Sequence, residues 1–318
     1  MKAEKIHIIF YFQSHITLHK IKVSARFCQK SFEKCEIYYK SRLTFMILEV
    51  NEMIKAVFLD IDGTLRNSKK EITQKTRDVL KKCNEYGILT IICSGRSKEY
   101  AHKIALDACA SNIVIASDGA EIYDYNKNQQ LYVRFISKET CENIYNISKK
   151  YDVKIFIDTT NGQFTNDTEK QHSDTVTYVN NLKEIILKNQ ILHIHFSSYN
   201  FKSSNSFIED LKKIDNIKIT NNGEVYVFDN KYYIFIAAKD SDKGSAIENF
   251  CKIFHISKNE TISFGDELND IKMFMNTGHS IAMKNANPLL KAYATDITLS
   301  NDEDGVAIYL ERFLKLLN

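Results

Sequence analysis

The chain has 318 residues, 44% apolar and 26% charged, enough to bury a sizeable core without a disordered tail. Its formal net charge of +3 is uneven, with nine Lys and Arg against five Asp and Glu in residues 1–52 and 34 against 35 in the rest, so the clustered basic face of a nucleic-acid binder is excluded. No stretch approaches the about 18 apolar residues of a membrane span. Seven cysteines without a CxxC pair argue against a zinc or disulfide framework and for free thiols in a reducing compartment, the cytoplasm. In that compartment the sequons at Asn146, Asn166 and Asn259 are accidental.

In chain order, residues 1–52 match no pattern found later. The apolar run Ile6–Phe12 behind Lys2 and Lys5 has the look of a short signal core, but no small-residue cleavage site follows it. Met53-Ile54-Lys55-Ala56 is a natural opening for a first strand. Met53 is therefore expected to be the functional start and residues 1–52 an extension or a mis-assigned gene start. Mass spectrometry of the native N-terminus tests this, and abundant peptides from residues 1–50 would overturn it.

The run Ala56–Leu59 delivers Asp60-Ile61-Asp62-Gly63-Thr64. Two carboxylates two residues apart at a strand's carboxyl end can divide a reaction, one attacking and the other moving protons. Thr76, Val79, Leu80 and Cys83 then fall at helical spacing ahead of Gly87, where a C-terminal cap belongs. Ile88–Cys93 closes a right-handed βαβ unit and delivers Ser94-Gly95-Arg96. A third strand, Ile113–Ala116, leads to Ser117-Asp118-Gly119-Ala120.

From there to about residue 235, aromatic and β-branched strands alternate with longer helical stretches. Strands are expected at 132–136, 153–157, 191–196, 217–219, 225–228 and 233–236, with Asn161-Gly162 turning a hairpin. His193 and His195 alternate and so share a face, where they are packing residues, metal ligands or substrate contacts. Lys243-Gly244 opens a helix carrying Ile247, Phe250, Cys251 and Phe254 on one side. Thr261–Phe264 delivers Gly265-Asp266-Glu267-Leu268-Asn269-Asp270, and short strand patterns follow at 280–283 and 296–299. Pro288 is the single proline, so loops are placed from Gly, Asn and Asp.

The set DxDGT, S-G-R, K-G and GDxxND, in that order, resembles the haloacid dehalogenase superfamily and within it the Cof-type phosphatases. The likeness runs from about Met53 to Asn318 and includes the tail segments Ala282–Ala286 and Asn301–Ala307. It implies an α/β fold with a Rossmann-like parallel-sheet core, residues 53–120 and 237–318, and a large inserted α+β cap domain, residues 121–236. Polar groups at strand ends then converge on a crevice.

The implied activity is Mg²⁺-dependent hydrolysis of small phosphorylated metabolites, sugar phosphates first, through an aspartyl phosphate. A carboxylate attacks a phosphate ester only when the phosphoryl charge is neutralised, which Mg²⁺ does with oxygen ligands. On the resemblance, Asp60 is the nucleophile and stays ionised, while Asp62 is general acid and base. Asp60, Asp266 and the backbone carbonyl of Asp62 hold Mg²⁺, and Asp270 orients a water or Lys243. Ser94, the Gly95 amide and Lys243 receive the phosphate, with Thr64 adding a hydroxyl and Asn269 a contact near the metal. The chain departs from the pattern at Asp118, where family members commonly have Asn. Two other readings share these motifs: a sugar phosphomutase, which returns the phosphoryl group to sugar, and a metabolite sensor that has lost turnover. The tail around Lys284-Asn285-Ala286 speaks against the first, and intact Asp60 and Asp62 against the second.

Overall fold

The computed structural model describes residues 54–315 apart from 171–175 and 220–222. The expectations for residues 1–52 and for Met53 lie outside the described residues.

Apolar, β-branched runs form β1 (Ala56–Leu59), β2 (Leu89–Cys93) and β3 (Ile113–Ala116), all but Leu89 fully buried, as strands covered on both faces must be. Two helices connect them, α1 (Gln74–Glu85) and α2 (Lys98–Asp107), each capped at its start by a hydroxyl: Thr73 accepts from the Thr76 amide and Ser97 from the Tyr100 amide. The expected helix face of Thr76, Val79, Leu80 and Cys83 is buried. Gly87, at φ +77°, ends α1: its amide bonds to Asn84 O at 3.0 Å while the Ile88 amide bonds to Cys83 O at 2.9 Å, the paired closure of a left-handed cap.

The chain does not leave this sheet after Ala120. β4 (Glu121–Asp124) turns back antiparallel to β3, and β5 (Gln129–Val133) pairs with β4. Of the strand expected at 132–136 as part of the insertion, Tyr132 and Val133 belong to the first sheet and Ile136 bridges to Ile191 of the second, so the crossing follows Val133 rather than Ala120. The reason is local: the turn Ser117–Gly119 reverses the chain beside β3, and Glu121, Ile122 and Asp124 are buried there.

The second sheet is built from β6 (Lys154–Thr159), β7 (Gly162–Thr165), β8 (Thr177–Tyr178), β9 (Ile191–Ser198), β10 (Ile217–Ile219), β11 (Tyr226–Phe228) and β12 (Lys231–Ala238), in the order β10-β12-β9-β6-β7-β8 with β11 on β12. The expected hairpin exists, but its two-residue loop is Thr160-Asn161, with Thr159 pairing to Gly162. Period-two alternation sorts this sheet. Ile157, Ile194 and Ile236 pack with α3 (Lys138–Ser148), α4 (Leu182–Lys188) and α5 (Phe201–Leu211) in one apolar cluster. Phe156, Asp158, His193 and His195 point to the other face, as the alternation of the histidines predicts.

After β12 the chain returns through α6 (Lys243–Phe254) to β13 (Thr261–Gly265), α7 (Ile271–Met275), β14 (His279–Ala282), α8 (Pro288–Lys291), β15 (Asp296–Ile297) and α9 (Gly305–Lys315). The first sheet runs β15-β14-β13-β1-β2-β3-β4-β5 and is parallel from β15 through β3. Strand order therefore reverses between β1 and β13, the point where such sheets open a crevice. The first core gathers around β1 and β13, where Phe58 meets Phe250 edge-on and Phe264 meets Tyr309.

Candidate active site

Register places the motifs level. Leu59 pairs with Phe264, and the Asp60 amide bonds to Phe264 O at 3.2 Å, so Asp60 and Asp266 emerge from adjacent strands at the switch point. Asp60, Asp266 and Asp270 each offer a carboxylate oxygen, and these atoms lie within 4.8 Å of one another. Lys243, 2% exposed at the first turn of α6, donates to Asp60 Oδ1 and to Asp270 Oδ1, the latter at 2.7 Å. Burial opposes its charge, but Asp270 and Asp60 outweigh that and hold the ammonium well above its usual range.

Three acids around one ammonium leave the cluster short of positive charge. Burial, with Asp270 and Asp266 adding to it against the pull of Lys243, raises Asp60 well above the carboxylate range. Asp266 is likewise pushed up to about 6, chiefly by burial. The donor set is all carboxylate and carries more negative charge than Lys243 neutralises, which fits a hard divalent ion.

Asp270 is wholly buried, and both of its oxygens have protein donors: Lys243 on Oδ1, and the amides of Asp266 at 3.0 Å and Glu267 at 3.2 Å on Oδ2. It is built to orient, while the Asp60 side chain keeps 15% of its surface exposed. Thr64, expected beside the phosphate, instead gives its hydroxyl to Asp266 Oδ1 at 2.8 Å. Gly63 has φ +82°, and a Cβ there would lie 2.1 Å from Asp266 Oδ2; the loop needs glycine for both reasons. Asn269 stands exposed on the turn Leu268–Asp270, and among the described residues no hydrogen bond ties it to the site.

Ser94, 4% exposed at the end of β2, accepts the Arg96 amide at 3.1 Å and keeps its hydroxyl hydrogen to donate. The side chain of Asp62 does not join the acid cluster. Half exposed, it faces Arg66 at 3.6 Å and Arg96 at 3.7 Å. Asp118 lies against Gly95. Residues 117–119 are all left-handed, at φ 52°, 48° and 84°, and a Cβ on Gly95 would sit 2.8 Å from Asp118 Oδ1. Gly119 in turn lies against the Asp242 carbonyl at the head of α6.

Sequence reasoning gave Asn285 no role. Its amide donates to Gly63 O at 2.8 Å and its Oδ1 accepts the Asn301 amide at 3.1 Å, while Asn301 reaches Arg66 O at 2.9 Å. The signal was the tail itself, Lys284-Asn285-Ala286 and Asn301–Ala307, read as likeness without chemistry. The Arg66 contact to Asp62 was likewise unread.

A profile of haloacid dehalogenase-like hydrolases matches residues 57–310. A 5-amino-6-(5-phospho-D-ribitylamino)uracil phosphatase of Bacillus subtilis is 25% identical over 254 residues, 80% of this chain and 93% of that protein. Among solved structures, a Thermotoga maritima protein superposes with a TM-score of 0.72 at 25% identity, over 82% of this chain and 97% of that one. A subclass IIB sugar phosphatase of the superfamily superposes with a TM-score of 0.65 at 23% identity, over 81% and 98%. With a profile spanning most of its length and the acids, lysine and serine assembled at one sheet switch point, the chain belongs to the haloacid dehalogenase-like hydrolases.

Proposed function

We propose that the protein is a Mg²⁺-dependent phosphatase of small phosphorylated metabolites, sugar phosphates foremost, working through an aspartyl phosphate on Asp60. The observation that carries this reading is the buried cluster of Asp60, Asp266, Asp270 and Lys243 at the carboxyl ends of β1 and β13. The relatives named above support the substrate class. Asp60, Asp266 and the Asp62 carbonyl would hold the ion, which, when bound, neutralises phosphoryl charge and draws the proton affinity of the carboxylates down.

Lys243 holds Asp60 Oδ1 and leaves the second oxygen to attack phosphorus in line. Ser94 and the Gly95 amide donate to the phosphoryl oxygens, and Lys243 adds positive charge as the ester bond breaks. Asp62 protonates the departing alkoxide, then takes a proton from the water that cleaves the aspartyl phosphate. For this it swings from Arg66 and Arg96, which it faces at 3.6 and 3.7 Å. Thr64 positions Asp266, and Asp270 positions Lys243.

The second sheet, with its own apolar cluster between the crossings after Val133 and Ala238, acts as a cap that excludes water and selects the leaving group. We place the protein in the cytoplasm, where the buried thiols of Cys83, Cys93 and Cys141 stay reduced. No helix among the described residues is long and apolar enough to cross a membrane.

Phosphate release from sugar phosphates, nucleotides and p-nitrophenyl phosphate, with Mg²⁺ or EDTA, tests the reading. Turnover should need the metal, and Asp60→Asn should lower it by about 10³-fold or more. Equal release with EDTA, or an active Asp60→Asn protein, would refute it.

A further inference from the structure

The helix-free face of the second sheet carries Asp158 and His193, and Lys98, which follows the Ser94–Gly95 loop, gives its ammonium to the carbonyl of Thr160, two residues beyond Asp158. Asp158 and His193 are cross-strand partners of β6 and β9. The imidazole is 7% exposed, its Nδ1 lies 3.9 Å from Asp158 Oδ2, and its Nε2 has no hydrogen-bond partner among the described residues. Burying a polar nitrogen unpaired is costly, so this atom marks a place for a ligand. Asp118 lies against Gly95 on the loop read above as the phosphate cradle.

Burial lowers the proton affinity of His193, against the pull of Asp118 and, less, of Asp158; His195 and Lys218 reinforce the lowering. A neutral imidazole that keeps its proton on Nδ1, toward Asp158, presents Nε2 as an acceptor. Asp158 is held by Gln163, which donates to its Oδ1 at 2.8 Å, and faces His195 at 3.7 Å. Lys218, a cation that acts on His193, gives its ammonium to the Ser241 carbonyl. The surface toward the leaving group thus offers carboxylate and imidazole acceptors and excess negative charge.

We propose that Asp118, Asp158 and His193 form an acceptor surface that selects phosphomonoesters whose leaving group presents hydroxyl or amino donors and rejects those carrying a second anion. The proposal rests on the phosphatase reading in one respect, the assignment of Ser94 and Gly95 to the phosphate. It goes beyond that reading by turning the acid at position 118 into a selectivity device: like charge beside a carboxylate or second phosphate on the leaving group repels it. A bisphosphate, which a phosphomutase would require, is disfavoured on the same ground.

The test compares sorbitol 6-phosphate with 2-phosphoglycolate on the same Mg²⁺-loaded full-chain protein, so that any folding defect cancels in the ratio. Wild type should favour the polyol ester in kcat/KM by about tenfold or more, and Asp118→Asn should shrink that ratio about tenfold. His193→Phe should lower the polyol ester about fivefold relative to p-nitrophenyl phosphate, which has no hydroxyl donors on its ring. The Kd ratio of the two esters is also read by calorimetry in the Asp60→Asn background, with and without Asp118→Asn. A ratio that Asp118→Asn leaves unmoved, or a wild type that prefers phosphoglycolate, overturns the proposal. If wild type releases phosphate from no ester, the phosphatase reading fails, and the calorimetric ratio still decides this one.

Discussion

Lys243 is buried between Asp60 and Asp270, so its charge is justified only by the acids it neutralises. Removing it strands buried carboxylates, and Lys243→Ala should cost about 3–5 kcal/mol in denaturant unfolding as well as abolishing turnover. An unfolding curve that matches wild type would show that the acids find another partner. A second buried acid acts on stability alone. Glu121 is 1% exposed and 3.6 Å from Lys98, and burial, against the pull of that lysine, pushes it up to about 7. The folded state then binds this proton more tightly than the unfolded chain, where the group titrates near 4.5. Stability from this residue is full below the lower value, falls as pH rises between the two, and the loss is complete above about 7. Wild type should lose about 3 kcal/mol between pH 4.5 and 8 that Glu121→Gln does not lose. Parallel pH profiles for the two proteins would sink this account.

Between elements, the loop after β1 owes its shape to the far end of the chain. Besides the Asn285 bridge, Ser68 binds both oxygens of Asp302 at 2.8 and 2.7 Å, and Thr73 donates to Asp304 at 2.6 Å. The segment before α9 thus straps down the loop that carries Asp62. Asn285→Ala releases the Gly63 carbonyl and should lower kcat roughly tenfold, because a small displacement of reacting groups is costly even when binding persists. The side chain is exposed, so the melting temperature should fall by only about 1–3 °C. A large loss of stability with unchanged kcat would make the bridge structural only. The same scale explains the misplaced crossing after Ala120. Residues 121–133 include Ile122, Tyr123, Tyr125, Tyr132 and Val133, side chains that suit either sheet, and pairing with β3 is a long-range choice that strand propensity does not encode.

At the scale of the molecule, the described chain divides its apolar side chains between two sheets and crosses between them twice, where Arg134 meets Asp240 at 2.6 Å. The acid cluster is excess negative charge bound into the first of these bodies, so a cation held there stabilises the fold by mass action. At about 100 times its Kd, Mg²⁺ should add roughly 2.7 kcal/mol and raise the melting temperature by roughly 5–10 °C over EDTA. Asp266→Asn should lose most of that shift in calorimetry. No shift in wild type would refute a metal at this cluster. Read alone, the sequence determined the parallel core and the order of its motifs. Buried strands announce themselves as apolar runs, and the reacting groups must follow them at strand ends. It also placed His193 and His195 on one face, because a strand's period of two is local. Only tertiary structure decided that Thr64 serves Asp266, that Asp62 faces two arginines and that Asn285 braces Gly63. Each of these relations but one joins residues more than 30 positions apart, the exception being the Asp62–Arg66 contact. Such relations depend on the packing of whole elements, which no local pattern of residues encodes.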